Sequence, residues 1–383
     1  MRRILFLLVV FVGLVAPTWA ATKIETVTVA ELGQWLAGIH GQSDGKIAKE
    51  LQSIVLTERV DAAQLTQWQS ALPGPRSRDA LTAMADVSIL FTPPAAEVLP
   101  DPSPDLKAQG AILSHAIDYV VQTLARLPDF YATRATEHFE DNPARQGIAH
   151  ITQNTNIRQN PTGLDIGFAN PGIPTITYQN FPYSPLHRTG ESSVPVSYRD
   201  GAEMRGAERM DRAAINRPES GLATAGEFGP ILSVVVDDAM HGSVEWAYWQ
   251  QRPLGKLAVF HYTVAEGHSN YVLALKHGIH EERLFPAYHG EIAIDPATGA
   301  ILRITLVGGS LRSQDVMESA IAVDYGSVAL GGKNYICPLK GIALLRTVVD
   351  TPGGTGLQTQ VNDTTFTAYH VMRADITILP AQQ

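Results

Sequence analysis

Between residues 24 and 92 the apolar positions recur three and four apart, the spacing that gathers them on one face of a helix. Leu32, Trp35, Leu36 and Ile39 form the first stripe. It sits behind Thr28, with Glu31 three residues on, the pattern of a capping box. Ser43 is placed to cap a second helix carrying Ile47, Leu51 and Ile54. Asp61 with Gln64 opens a third, with Leu65, Trp68 and Leu72 along one side, and Pro73-Gly74 ends it. Pro75 fits the first turn of a fourth, which carries Leu81, Met84, Val87 and Ile89 or Leu90 and stops before Pro93-Pro94. A helix with one apolar stripe needs a partner, so residues 21–92 are expected to form a small helical bundle. Prolines at 93, 94, 100, 102 and 104 exclude regular helix, and residues 93–104 read as a linker.

From residue 105 the pattern changes. Leu106, Leu113, Ile117, Val120, Val121, Leu124 and Leu127 give a long amphipathic helix that ends at Pro128. Residues 130–140 read as a strand. Residues 141–190 are rich in Asn, Pro, Gly and Thr with little period and read as a long polar insertion of loops. Beyond them the predicted elements are mainly strands in hairpins. Val194–Tyr198 runs into Asp200-Gly201, a favoured two-residue turn. Val244–Trp249 is followed by Leu257–Val264, with Pro253 and Gly255 between them. Two strands flank Asp295-Pro296-Ala297-Thr298-Gly299, and two more flank Gly331-Gly332. One helix interrupts them, predicted from the capping-box pattern of Thr224 and Glu227 and carrying Phe228, Ile231, Leu232 and Val235. Consecutive hairpins without alternating helices predict an α+β fold with a mostly antiparallel sheet, helices on one face, over residues 105–380.

The extreme N-terminus has Arg2 and Arg3, an apolar run from Ile4 to Ala16, Pro17, then Thr18, Trp19 and the small Ala20. That order predicts a secretory signal peptide over residues 1–20, cleaved after Ala20, and hence a periplasmic or secreted product with no further membrane span. Losing the two arginines takes the formal charge from −9 to −11. An acidic chain without a basic run is a poor ligand for nucleic acid. Cys337 is the single cysteine, so no internal disulfide is expected, and it reads as a small buried residue.

Two hairpins carry a resemblance. The segment from Ile292 to Arg303, with Ile294-Asp295, Thr298-Gly299, Ile301 and Arg303, resembles a recurring hairpin of the LolA and LolB periplasmic lipoprotein carriers. Asp324-Tyr325 through Gly331-Gly332-Lys333 to Pro338 is similar to a second one. The chain as a whole also resembles a family of exported bacterial proteins. The LolA-like resemblance covers about residues 105–380 and implies a half-open, concave β-barrel with helices over its mouth, holding acyl chains, and no catalytic residues.

Three groups of side chains qualify as candidate sites. Trp246, Tyr248, Trp249, Phe260, Tyr262 and Tyr271 would line an apolar ligand pocket if they face the concave side; strict alternation pairs Trp246 with Tyr248, and Phe260 with Tyr262. His277, His280, Glu281 and His289, with His268 and Glu282 nearby, would offer a divalent metal its ligands if the stretch is helical, although the order is not that of a metalloprotease helix. Asp237, Asp238, His241 and Glu245 surround a helix end, where Asp237 and His241 are spaced to pair. No nucleophile elbow or phosphate loop is present, and no catalytic residue is assigned. A binding protein for an apolar or amphiphilic ligand, lipid among them, is therefore the leading expectation, without a cofactor. A structural or protein-interaction module of the cell envelope is second, and a metal-dependent enzyme using the histidines is third.

Overall fold

In the computed structural model Thr28 accepts a hydrogen bond from the amide of Glu31 while the Glu31 carboxylate reaches back to the amide of Thr28, so the first helix opens as a complete capping box. The structure describes residues 25–124, 126–143, 145–152, 175–181, 183–199, 202–205, 222–223, 226–253, 255–277, 280–309, 311, 315–351 and 354–372. The predicted leader lies outside them.

The N-terminal unit runs β1 (Glu25–Val27), α1 (Val29–Gly38), α2 (Asp44–Leu51), β2 (Ile54–Leu56), α3 (Ala62–Ala71) and α4 (Pro75–Ser88). The four helices form where their stripes and caps predict. Their core gathers Leu32, Ile47, Leu51, Leu65 and Leu81. Ile54 departs from its expected helix: it pairs with Glu25 in a short parallel ladder.

The stretch expected as a linker is stitched to the main sheet instead. Its strand β3 (Val98–Leu99) pairs with Gln250 and Trp249, and the Pro102 carbonyl accepts from the Trp249 indole at 3.1 Å. The long helix follows as α5 (Leu106–Leu124), then β4 (Phe130–Asn142). Strands β5 (Arg145–Thr152), β6 (Thr175–Phe181) and the beginning of β7 (Ser184–Arg199) occupy ground read as loops, while β7 also takes in the strand expected at Val194–Tyr198. Their Asn, Thr and Gly content hid them because pairing with β4 and with each other, not propensity, makes them strands. Residues 153–174 of that insertion are outside the described set.

The remaining order is β8 (Ala202–Arg205), α6 (Pro230–His241), β9 (Ser243–Arg252), β10 (Gly255–Val264), β11 (Leu273–His277), β12 (His280–Leu284), β13 (Tyr288–Ile294), β14 (Ile301–Gly308), β15 (Val316–Leu330), β16 (Lys333–Thr351) and β17 (Gly354–Val371). Helix α6 starts at Pro230 behind Gly229, not at a Thr224 box, which leaves Glu227 free for another contact described below. One sheet of eleven strands dominates, in the order β3-β9-β10-β13-β14-β15-β16-β17-β4-β7-β8, and every pairing in it is antiparallel. Its two ends are separate edges, so the sheet is not closed into a barrel.

Helices cover both faces of this sheet rather than one. On the front, α5 and α6 bury Ala116, Val120, Leu232 and Val235 against Phe260, Tyr262, Ile294, Ile304 and Val323. On the back, α4 and the turn after it lay Ala83, Val87, Ile89 and Leu90 on Phe139, Ala320, Ala322, Ile342 and Val361. Small residues through Ala80–Ser88 allow α4 to be buried nearly all round, which a one-stripe reading misses. Charged side chains on this back side reach partners. Lys340 reaches Asp86 at 3.4 Å and Asp363 at 3.0 Å, Arg303 donates to the Ile89 carbonyl and to Asp324, and Arg59 donates to Gln250 at 2.9 Å.

Asp86 is almost inaccessible, and burial together with Asp363 pushes its carboxyl well up, against the pull of Lys340; Glu137 adds to the rise. The folded protein thus holds a proton on Asp86 at pH values where the unfolded chain, with an ordinary value of 3.8, has released it. Asp86 contributes most to stability below that value, and the contribution is lost as pH rises. Urea unfolding of Asp86→Asn beside the parent is expected to show a stability difference that moves in favour of the variant from pH 4 to pH 7; the opposite slope would contradict the burial argument.

Candidate functional site

Helix α5 crosses the front face above the ends of two hairpins. The first is the β13–β14 turn, where Asp295 accepts from the Ala297 amide and the Thr298 hydroxyl, and Gly299 takes a left-handed φ of 74°. A Cβ on Gly299 would sit 2.5 Å from the carbonyl oxygen of His115 in α5, so the turn and the helix touch backbone to backbone. The second is the β15–β16 turn, with Gly331 and Gly332 at φ 58° and 83°.

Between α5, α6 and these strands lies an apolar crevice of about 20 Å³, lined among others by Val120, Phe228, Leu232, Ile301, Tyr325 and Cys337. That is room for about one water-sized group. Tyr119 and Thr123 also line it, and both continue into an open polar groove of about 400 Å³. The groove is bounded by His115, Asp118, Gln122 and Arg126 of α5 and by Thr298, Asn334 and Tyr335 at the hairpin ends. Tyr119 and Thr123 thus border both an apolar cleft and a polar groove.

The six aromatic candidates divide between the faces. Trp246, Trp249, Phe260 and Tyr262 meet on the front: Trp246 packs edge-on to Trp249 at 4.9 Å and to Phe260 at 5.3 Å. Tyr262 donates to the Thr305 carbonyl at 2.7 Å, and Tyr271 packs 5.8 Å from Tyr288. These rings fill one another's space and form front-face core beside the crevice. Tyr248 lies on the back. The β9–β10 register shifts between Val259 and Phe260, so the strict alternation that paired Trp246 with Tyr248 breaks at the bulge. The Tyr248 hydroxyl donates to Glu291 at 3.1 Å, and burial, partly offset by Arg59, pushes it up to about 12.

The histidine group is not helical. His277 and His280 face each other as the last pair of the β11–β12 hairpin, and their side chains lie outside the described set. Glu281 is exposed and bonds Arg283 at 2.8 Å, Glu282 is exposed, and His268 sits in a short 3-10 turn. His289 belongs to a different sheet, in β13 between Thr263 and Val307. Among the described residues no three His, Cys, Asp or Glu side chains are grouped to hold a metal. Strand pairing, not helical spacing, governs this stretch, and it puts His289 in a different sheet from His277 and His280.

The acidic group also changes character. His241 approaches the Asp237 backbone carbonyl at 2.9 Å, not its carboxylate. Glu245 is exposed opposite His261. Asp238 is fully buried and accepts from Tyr288 at 2.8 Å and twice from Asn270, a structural anchor for the front core. Sequence reasoning did not find α5's groove residues, because their partners come from turns almost 200 positions away. The positive-φ glycines beside those turns were the available signal.

No family model, no curated protein and no solved structure matches the chain. Among the described residues, no helix is long and apolar enough to cross a membrane.

Two outcomes are expected. Gly299→Ala should destabilise by about 3 kcal/mol, from the left-handed strain plus the collision with His115, whereas Gly332→Ala, with open space around it, carries the strain alone. Equal losses in thermal melts would show that α5 is not seated on the turn. Burial pushes the Cys337 thiol up to about 12. At pH 8 only about one part in 10⁴ is thiolate, so iodoacetamide should leave Cys337 unmodified for hours by mass spectrometry and alkylate it quickly in urea. Rapid native alkylation would mean the crevice is open in a way this packing does not allow.

Proposed function

We propose that the protein is an exported, non-enzymatic protein of the cell envelope, periplasmic or secreted, that holds an apolar or amphiphilic ligand under α5. The observation that carries this reading is the continuity between the apolar crevice and the polar groove through Tyr119 and Thr123. An amphiphile has the same division: its apolar part gains from leaving water, and its polar end stays hydrated. In this reading the front face is the half-barrel of the LolA-like resemblance and α5 is its cover. The crevice is narrow, so a chain enters by displacing α5 outward from the sheet, and Ile112, Leu113, Ala116 and Val120 are the contacts exchanged for ligand. The aromatic core beside it, including Trp246, Trp249, Phe260, Tyr262 and Tyr271, forms the wall against which α5 closes. Tyr248, on the other face, plays no part. An interaction role for the N-terminal helices has less support, because the apolar face of α4 is already used inside the chain.

The test is uptake of an apolar fluorescent probe, N-phenyl-1-naphthylamine, by purified protein. Thr123→Trp places a large ring where crevice and groove join, at a half-buried position that can accept it. Probe affinity should fall at least fivefold with the melting temperature nearly unchanged. Val55→Trp, on an exposed strand of the N-terminal unit, should leave it unaltered. Equal affinity in the parent and Thr123→Trp would remove the crevice as the ligand site.

A further inference from the structure

Three side chains on neighbouring strands form a hydrogen-bonded chain that ends at an exposed hydroxyl. Asn362 of β17 lies opposite His138 of β4. Ser192 of β7 lies opposite Thr136, two residues before His138, and so is a diagonal neighbour of the imidazole. The Asn362 Nδ2 donates to the Leu222 carbonyl at 2.6 Å, which leaves its Oδ1 for the ring. That oxygen only accepts, so the His138 Nδ1, 2.8 Å away, carries the ring proton. Nε2 of the neutral ring is then a bare acceptor, 3.3 Å from the Ser192 Oγ. Each link fixes the next: a backbone carbonyl sets the amide, the amide sets the tautomer, and the tautomer aims a base at a hydroxyl.

Burial grades along the chain. Asn362 is 5% exposed, His138 is half-buried and Ser192 is exposed, so the orienting end is held by the protein and the hydroxyl end meets solvent. The β4–β7 register shifts between His138 and Phe139, and Thr189, the extra residue there, donates its hydroxyl to the His138 carbonyl at 3.2 Å. A bulge re-aims the side chains beside it. On its other side β7 is open at Ser192, because β8 pairs only with Val196, Ser197, Tyr198 and Arg199. A serine hydroxyl is a weak nucleophile until an adjacent base takes its proton, and a third group that orients the base completes the arrangement. We propose that Ser192 is a nucleophile for carboxylic esters, with His138 as its base and Asn362 as the residue that positions the ring. His138 Nε2 takes the hydroxyl proton as Oγ bonds to the ester carbonyl carbon. The bond from that carbon to the leaving oxygen breaks, and the proton passes from His138 to that oxygen. An acyl ester on Ser192 and a free alcohol result. One ester is consumed per Ser192, so the step modifies this protein and is not a turnover. None of the three residues lines the crevice or the groove, and the ligand role proposed there is independent of this site.

The test is acetylation of the purified protein by p-nitrophenyl acetate at pH 7, with each modified residue located and timed by peptide mass spectrometry. Ser193 is the internal control: it is equally exposed, but strand alternation points it to the opposite face, away from His138. Ser192 is expected to be acetylated at least tenfold faster than Ser193, the low end of what a positioned base supplies. His138→Gln keeps a donor for Asn362 and removes the base, so labelling of Ser192 should fall at least tenfold with the melting temperature nearly unchanged. Asn362→Asp keeps an acceptor for the ring and should label Ser192 faster than Asn362→Leu, which has none. Rates in these two variants that only follow their melting temperatures overturn the positioning role of Asn362. Ser192 acetylated no faster than Ser193, or as fast in His138→Gln as in the parent, overturns the nucleophile and makes the chain a structural bond of the sheet.

Discussion

The constraint on which the rest depends is that the central strands of the sheet are buried on both faces. An antiparallel sheet ordinarily keeps one face in water and reads as alternating apolar and polar positions. Here β14 and β15 carry core residues on each side: Ile304 and Val323 under α5 and α6, Ala320 and Ala322 under α4. Any charged residue in these strands is therefore taken out of water, where it is tolerated only with a partner. The pairs Lys340 with Asp363, Arg303 with Asp324, and Arg59 with Glu291 meet that demand, and Lys340 also reaches Asp86. Two contacts tie the sheet to α4 and the turn after it, Lys340 to Asp86 and Arg303 to the Ile89 carbonyl, and a shift of the helix along the sheet would break both. Buried ion pairs of this kind add little net stability over an apolar alternative, and their effect is on which docking is allowed.

On the front face lies α5, the helix that the proposed function has move outward. It is a cover of nineteen residues whose inner side contributes small and medium groups to the core and whose outer side leaves Leu106 and Val121 in solvent. Its seat is the close approach of His115 to Gly299, and the crevice opens one turn further along, at Tyr119, Val120 and Thr123. A site built between a fixed sheet and one separately seated helix can widen without disturbing the back-face contacts.

What was legible in the sequence was local. Caps at Thr28 and Asp61, the proline before α4, the Asp295–Gly299 turn and the Gly331-Gly332 turn each act within a few residues, and each forms as read. Long-range pairing was not legible. The bulge opposite Phe260 turns Tyr248 to the back, and neither strand shows it alone. Strands β5 to β7 look like loops until their partners are supplied. Glu227, read as part of a helix cap, is committed to Arg134, ninety-three positions earlier. The candidate site suffered most from this. The aromatic strands were recognisable as apolar wall, but the cleft beside them is made by residues from α5, α6 and four strands, whose convergence no spacing encodes.

The central claim, a ligand held between α5 and the sheet, is tested most directly by native mass spectrometry of the protein recovered under mild conditions from the envelope of cells that export it. The account predicts a population heavier than the polypeptide by a discrete apolar or amphiphilic mass, released by organic solvent and absent from a variant in which engineered cysteines tie α5 to β14. The bare polypeptide mass in every preparation, unchanged after incubation with alkyl amphiphiles, would contradict it.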